Sequence, residues 1–201
     1  MTRHNERRPG IAGDPLVVGI GGSTSEPSGT TLLLRTALDL LSAAGARTVS
    51  FTGADLAELP IYAPDRPIDE PTEHYLRIFR ECDAVIVATP GYHGGMSGLV
   101  KNALDHLEAL RSDDRPYLDG RAVGVIVTAA GWQGAGTALA SVRSAVHALR
   151  GWPTPYAVTV NSAEQSLRGA DVPEQVVLPA LQILTGQLLE FLSWRAAAAA
   201  L

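Results

Sequence analysis

Three stretches carry backbone and side chains suited to holding a ligand. The first, Gly21 to Thr31, places six hydroxyls (Ser23, Thr24, Ser25, Ser28, Thr30 and Thr31) and Gly29 just ahead of a helical pattern. The opening N–H groups of a helix are unpaired and its dipole favours an anion, so hydroxyl and N–H donors together suit a phosphate monoester. The plainer alternative is that Ser28 or Thr30 only caps the helix, but a cap needs one such residue and not six. The second stretch, Thr89-Pro-Gly-Tyr-His-Gly-Gly-Met-Ser-Gly98, is a turn with four glycines and a proline. Glycine allows positive φ and lets a flat ligand approach the main chain closely. The third, Ala129-Ala-Gly-Trp-Gln-Gly-Ala-Gly136, is a second glycine-rich loop holding Ala130, Gly131 and Trp132.

Two nucleotide motifs fail on these residues. A phosphate loop of the Walker kind needs Gly-Lys-Ser/Thr at the helix start, and no lysine lies near. Gly19-Ile-Gly21 begins a dinucleotide fingerprint, but Thr24 stands where its third glycine belongs, and Phe51-Thr52 offers no acid for a ribose. Asp55, Glu58, His74 and His106 lack metal-ligand spacing and read as surface residues. Lys101 is expected to pair with Asp105 at i+4 on an exposed helix face.

The elements that must position these stretches follow from apolar periodicity. Leu16–Ile20, Ala84–Ala88 and Ala122–Thr128 are continuous apolar runs, as in strands covered on both faces. Arg47–Phe51 is shorter and more polar, as an edge strand is, and Tyr156–Val160 is a fifth strand. Helical faces recur at Leu33–Leu41, at 73–81, at Leu99–Leu110 and at Leu139–Leu149. The last face comprises Val176, Ala180, Ile183, Leu184, Leu188 and Leu192. Gly53 to Pro71 reads as a long connection with few elements of its own. Strands alternating with helices predict a three-layer, doubly wound α/β fold with a five-stranded parallel sheet of order 2-1-3-4-5. In that order the three loops converge at the carboxyl ends of strands one, three and four, where open α/β sheets bind ligands.

The length of 201 residues favours one domain, expected over 14–195, between a disordered tail at 1–13 and a fraying end at 196–201. A net charge of −5 gives no support for nucleic-acid binding, and no apolar run reaches the ~20 residues of a membrane span. The Arg-rich start lacks the apolar core of a secretory signal. One cysteine, Cys82, excludes a disulfide framework and reads as a packed core thiol, so a cytoplasmic protein is expected.

The motifs Gly22-Ser-x-x-x-Pro-Ser28-x-Thr-Thr31, Leu59-Pro-Ile-Tyr62 and Thr89-Pro-x-Tyr-His-Gly-x-x-Ser-Gly-x-x-Lys-Asn-x-x-Asp105 resemble the NAD(P)H-dependent FMN reductase family, which has the flavodoxin-like fold. The likeness runs in order from about Leu16 to Asn161. It implies FMN as cofactor and NAD(P)H as hydride donor, with Ser23, Ser28, Thr30 and Thr31 on the phosphate. Pro90, Gly91, Tyr92, His93, Gly94 and Gly95 would line the isoalloxazine, and the Gly131 loop would meet its polar edge. Tyr92 would stack on the flavin or nicotinamide, or sit half-buried at the loop edge; His93 would donate to a flavin carbonyl or face solvent. Trp132 is expected to cover either the flavin or a partner subunit. The resemblance implies a nicotinamide dinucleotide and a small acceptor (free flavin or a quinone) as partners, a homodimer or homotetramer, and in some members a flavin-dependent monooxygenase. The apolar face of 99–110, with Tyr117 and Leu118, could supply a partner surface or belong to the core, which the pattern alone does not separate. The alternative is a flavodoxin-type FMN electron carrier without nicotinamide turnover. One position departs from the family: Ser25 stands where many members have arginine. Hydroxyls, N–H groups and the helix dipole alone would then oppose a phosphate of about −1.5 to −2 charges, which predicts weak FMN binding, with flavin as a substrate or a readily lost cofactor.

Overall fold

The computed structural model describes residues 14–165, Leu167 and residues 176–199; the tail at 1–13 and the last two residues lie outside them. The chain runs β1 (Leu16–Gly21), α1 (Gly29–Ala43), β2 (Arg47–Phe51), α2 (Gly53–Glu58), α3 (Glu70–Glu81) and β3 (Ala84–Tyr92). It continues with β4 (Gly95–Met96), α4 (Gly98–His106), a 3-10 turn (Leu107–Leu110), β5 (Ala122–Ala129), α5 (Trp132–Ala148), β6 (Trp152–Pro153), β7 (Val158–Asn161) and α6 (Val177–Ala199).

The sheet order is β2-β1-β3-β5, with β6 and β7 both lying parallel along β5. These two short pieces share the fifth position, interrupted around Pro153 and Pro155, so the order is the expected one with its last strand split. Each interior strand sends alternate side chains to opposite layers, as a period of two requires. Val18, Ile20, Val85, Val87, Val123, Val125 and Val127 pack under α2 to α5. Val17, Ala84, Ile86, Ala88, Ala122 and Ile126 pack under α1 and α6. This two-sided burial is why the three runs read as unbroken apolar stretches.

Several expectations are corrected. The connection after β2 contains α2, opened by a reciprocal cap in which Asp55 accepts from the Thr52 N–H at 2.7 Å. For the face of Leu99–Leu110 the core alternative holds: Val100, Ala103, Leu104, Leu107, Leu110 and Leu118 are buried in the core of this chain. His106 is likewise buried, its Nε2 2.8 Å from the Pro60 carbonyl. On α6 the inward face is Val177, Leu181, Leu184, Leu188 and Leu192, whereas Val176 and Ile183 are exposed. α6 itself runs through Ala199. Cys82 is buried as expected, and burial pushes its thiol up to about 11.

Candidate functional site

The cleft is built from strand ends. β1, β3 and β5 are in parallel register, so the segments after them open on one edge of the sheet. The first segment ends where Ser28 caps α1, its Oγ accepting the Thr31 N–H at 3.1 Å. The capping alternative therefore holds for Ser28, yet its own O–H is left to donate. Among the described residues the N–H groups of Gly29 and Thr30 reach no protein acceptor, and no acid stands in the first turn of α1. Thr30 Oγ1 lies 2.6 Å from Thr128 Oγ1, which ties this helix start to the end of β5. Ser23 Oγ accepts the Ser25 N–H at 3.3 Å. α2 backs this loop: a Cβ on Gly53 would collide with the Ser23 carbonyl oxygen.

The second segment is less of a loop than its glycines imply. β3 runs on to Tyr92 and folds back as a hairpin, with Gly91 opposite Met96 and Tyr92 opposite Gly95. The two residues at its tip, His93 and Gly94, have φ of 50° and 84°, as the favoured two-residue hairpin turn demands. Thr89 fixes the base, accepting the Ser97 N–H and donating to the Pro90 carbonyl, both at 2.9 Å. Asn102 and His106 on α4 pin the Leu59–Tyr62 segment: the Tyr62 N–H donates to Asn102 Oδ1 at 2.8 Å, and Asn102 Nδ2 donates to the Pro60 carbonyl at 3.0 Å. Lys101 pairs with Asp105 at 2.6 Å on the exposed side, as expected.

The third segment is also shorter than its glycines imply. α5 begins at Trp132, with Gly131 as its N-cap, so Gln133 to Gly136 are helical. Gly134 and Gly91 belong to one close contact, since a Cβ on Gly91 would meet the Gly134 carbonyl and the Ala129 and Ala138 methyls at 3.2 Å.

These segments enclose a cleft of about 680 Å³, within the range usual for small-molecule sites. Of the residues singled out from sequence, Ser23, Ser25, Ser28, Gly29 and Thr30 line it on one side and Pro90, Gly91, Tyr92 and Ala130 on another. Thr31 is buried behind the cap, and His93, Gly94 and Gly95 lie at the hairpin tip outside the lining. Gly131 and Trp132 stand beside the cleft and do not line it. Trp132 is 55% exposed, and its indole N–H donates to Glu164 Oε1 at 2.9 Å. Sequence reasoning missed Thr128, Ser162, Ala163, Glu164 and Leu167, which complete the wall. A larger groove of about 830 Å³, between Pro60–Ile68 and the α3 and α4 faces, contains none of the expected ligand residues.

The sequence model of the family described as NADPH-dependent FMN reductase matches residues 15–165. The chain belongs to that family. This member of the FMN reductase family is 30% identical over 143 residues to an NADPH azoreductase from Bacillus sp. (strain OY1-2), covering 68% of this chain and 65% of the relative. It is 36% identical over 94 residues to an FMN reductase (NADPH) from Pseudomonas putida, covering 46% of each. The chain thus spans about half to two thirds of the length of these relatives. Its fold matches that of a flavoenzyme NAD(P)H:(acceptor) oxidoreductase from Paracoccus denitrificans with a TM-score of 0.70 at 21% identity, over 89% of this chain and 97% of that one. Among the described residues of this reductase-family chain, no cluster of three His, Cys, Asp or Glu side chains forms a metal site, and no helix is long and apolar enough to cross a membrane.

Proposed function

We propose that the chain is an NAD(P)H-dependent FMN reductase that passes reducing equivalents to a small acceptor such as free flavin or a quinone. The observation that carries this reading is the cleft itself: an anion seat at the start of α1 faces a wall of Pro90, Gly91 and Tyr92. The donor set fits FMN. Two free N–H groups, the Ser23, Ser25 and Ser28 hydroxyls and a helix start without acids suit a phosphate. The flat, glycine-containing main chain of 90–92 suits a planar ring.

FMN, when bound, would supply the redox chemistry that links the nicotinamide to the acceptor. The chain's residues bind and orient it. Gly29 and Thr30 would donate their N–H groups to the phosphate, while Thr89 holds Pro90 and the hairpin in place. Tyr92, 53% exposed at the cleft, is free to pack against an incoming nicotinamide or acceptor. The redox chemistry would be the cofactors' own, so no side chain of the cleft needs to transfer a proton.

The reading includes a homodimer or homotetramer. The exposed Ile61 and Ile68 near the larger groove are apolar surface that association would cover. Supply of reduced flavin to a partner monooxygenase is one use of such an activity, and a reducing cytoplasmic setting suits the free Cys82 thiol. The family match favours this reading over a flavodoxin-type carrier. The test is NADPH and NADH oxidation by the purified protein, with and without added FMN. Turnover that depends on FMN is expected; FMN binding without NAD(P)H oxidation would favour the carrier.

A further inference from the structure

The only charged side chain lining the cleft among the described residues is an acid, and it is held in place. Glu164 Oε1 accepts the Trp132 indole N–H at 2.9 Å and the Asn161 amide at 2.7 Å. Asn161 is buried at the end of β7, and its Oδ1 accepts the Ala163 N–H at 3.1 Å. This clasp joins the start of α5 to the turn after β7 and fixes the wall that carries the carboxylate.

Across the cleft, every donor that the described residues offer to the anion seat is neutral: the Gly29 and Thr30 N–H groups and the hydroxyls of Ser23, Ser25 and Ser28. A phosphate there gains hydrogen bonds and the helix dipole, and it also meets a negative charge in the same small cleft. Glu164 is exposed and shares this cleft of about 680 Å³ with the seat, so the repulsion acts at low salt and fades as added salt shortens the Debye length from roughly 10 Å at 0.1 M.

We propose that Glu164 is a specificity-determining residue: its clasped carboxylate opposes the FMN phosphate, narrows the preference for FMN over riboflavin, and keeps the bound flavin exchangeable. This rests on the flavin reading of the cleft given above.

The experiment compares FMN and riboflavin dissociation constants, by flavin fluorescence, for the unaltered protein, Glu164→Gln and Trp132→Phe at low and high salt. Glu164→Gln keeps an oxygen for the Trp132 and Asn161 donors and removes only the charge. It is expected to bind FMN about three- to tenfold more tightly at low salt, with riboflavin unchanged and the gain shrinking at high salt. Trp132→Phe breaks one strand of the clasp and keeps the charge, so the ratio of FMN to riboflavin affinity should stay within about twofold. FMN affinity that is unchanged or weaker in Glu164→Gln, or a gain shared equally by riboflavin, overturns this proposal and leaves the flavin site standing. Failure of all three proteins to bind either flavin overturns the flavin reading itself, and the proposal with it.

Discussion

Arg121 is a guanidinium with no exposed surface, and among the described residues no carboxylate pairs with it. Its charge is met by carbonyl oxygens instead. Nε donates to Cys82 at 3.0 Å, Nη2 to Phe79 and Arg80 at 3.0 Å each, and Nη1 to Tyr117 at 3.2 Å and Asp119 at 3.4 Å. Two of these acceptors are in the last turn of α3, where the helix dipole is negative and its carbonyls lack intrahelical partners. The substitution Arg121→Met keeps much of the length and removes all five bonds. A buried acceptor left without a donor costs about 1–3 kcal/mol, and relief from burying a cation offsets part of the total. With the Cys82 and Phe79 acceptors fully enclosed and the other three partly so, the net loss is about 3–5 kcal/mol. With a urea slope of about 2 kcal/mol per molar, the unfolding midpoint should fall by roughly 2 M. Arg121→Lys should recover only part of this, because an ammonium carries three donors and no planar fork. Arg121 precedes β5 at its amino end, whereas Thr128 and Ala129 at the other end line the cleft, some 20 Å away at strand spacing. FMN affinity of the folded variant should therefore be unchanged. A midpoint shift below roughly 0.5 M for Arg121→Met would refute the reasoning, since the carbonyls would then have found other partners.

Three further outcomes are expected. Gly53→Ala should displace the Ser23 main chain and weaken FMN binding about tenfold or more, read by flavin fluorescence, because an added Cβ collides with a backbone oxygen that cannot rotate away. Trp132 is the tryptophan beside the cleft, while Trp152 and Trp194 lie on other elements. Trp132→Phe should thus abolish most of the tryptophan quenching caused by FMN, and full retention of quenching would count against the placement. The buried Cys82 thiol, raised from 9.0 to about 11, is protonated in the native state after it would have ionised in the unfolded chain. The unfolded state then binds fewer protons, so stability falls as pH rises from about 9 to about 11, by about 2–3 kcal/mol in all. Urea midpoints across that range, compared with Cys82→Ala, measure this contribution.

The interior strands were legible because each is buried on both faces, and an unbroken run such as Ala84–Ala88 has few other readings. α2 was missed because six residues show no period, although Thr52 and Asp55 carry the cap that opens it. The glycines of 129–136 misled because Gly134 and Gly136 lie inside α5 and are not loop punctuation; the tight approach there is made by Gly91 of β3 against the Gly134 carbonyl. The inward run of Leu99–Leu110 shows that an apolar helix face does not say whether core or partner covers it; the α3 and 3-10 packing decides that. Within the cleft, the hydroxyl and Pro-Gly-Tyr stretches announced themselves by composition. Thr128 and Glu164 did not, since their roles arise only when β5 and β7 bring their ends beside the start of α1.

The central claim is that the start of α1 seats the phosphate of FMN. Backbone amide resonances followed by NMR during titration with FMN, and separately with riboflavin, test it most directly. The Gly29 and Thr30 amides should shift strongly with FMN and little with riboflavin, while Gly91 and Tyr92 respond to both. Shifts confined to the Tyr62–Arg111 groove, or no shift at Gly29 and Thr30 under saturating FMN, would contradict the account.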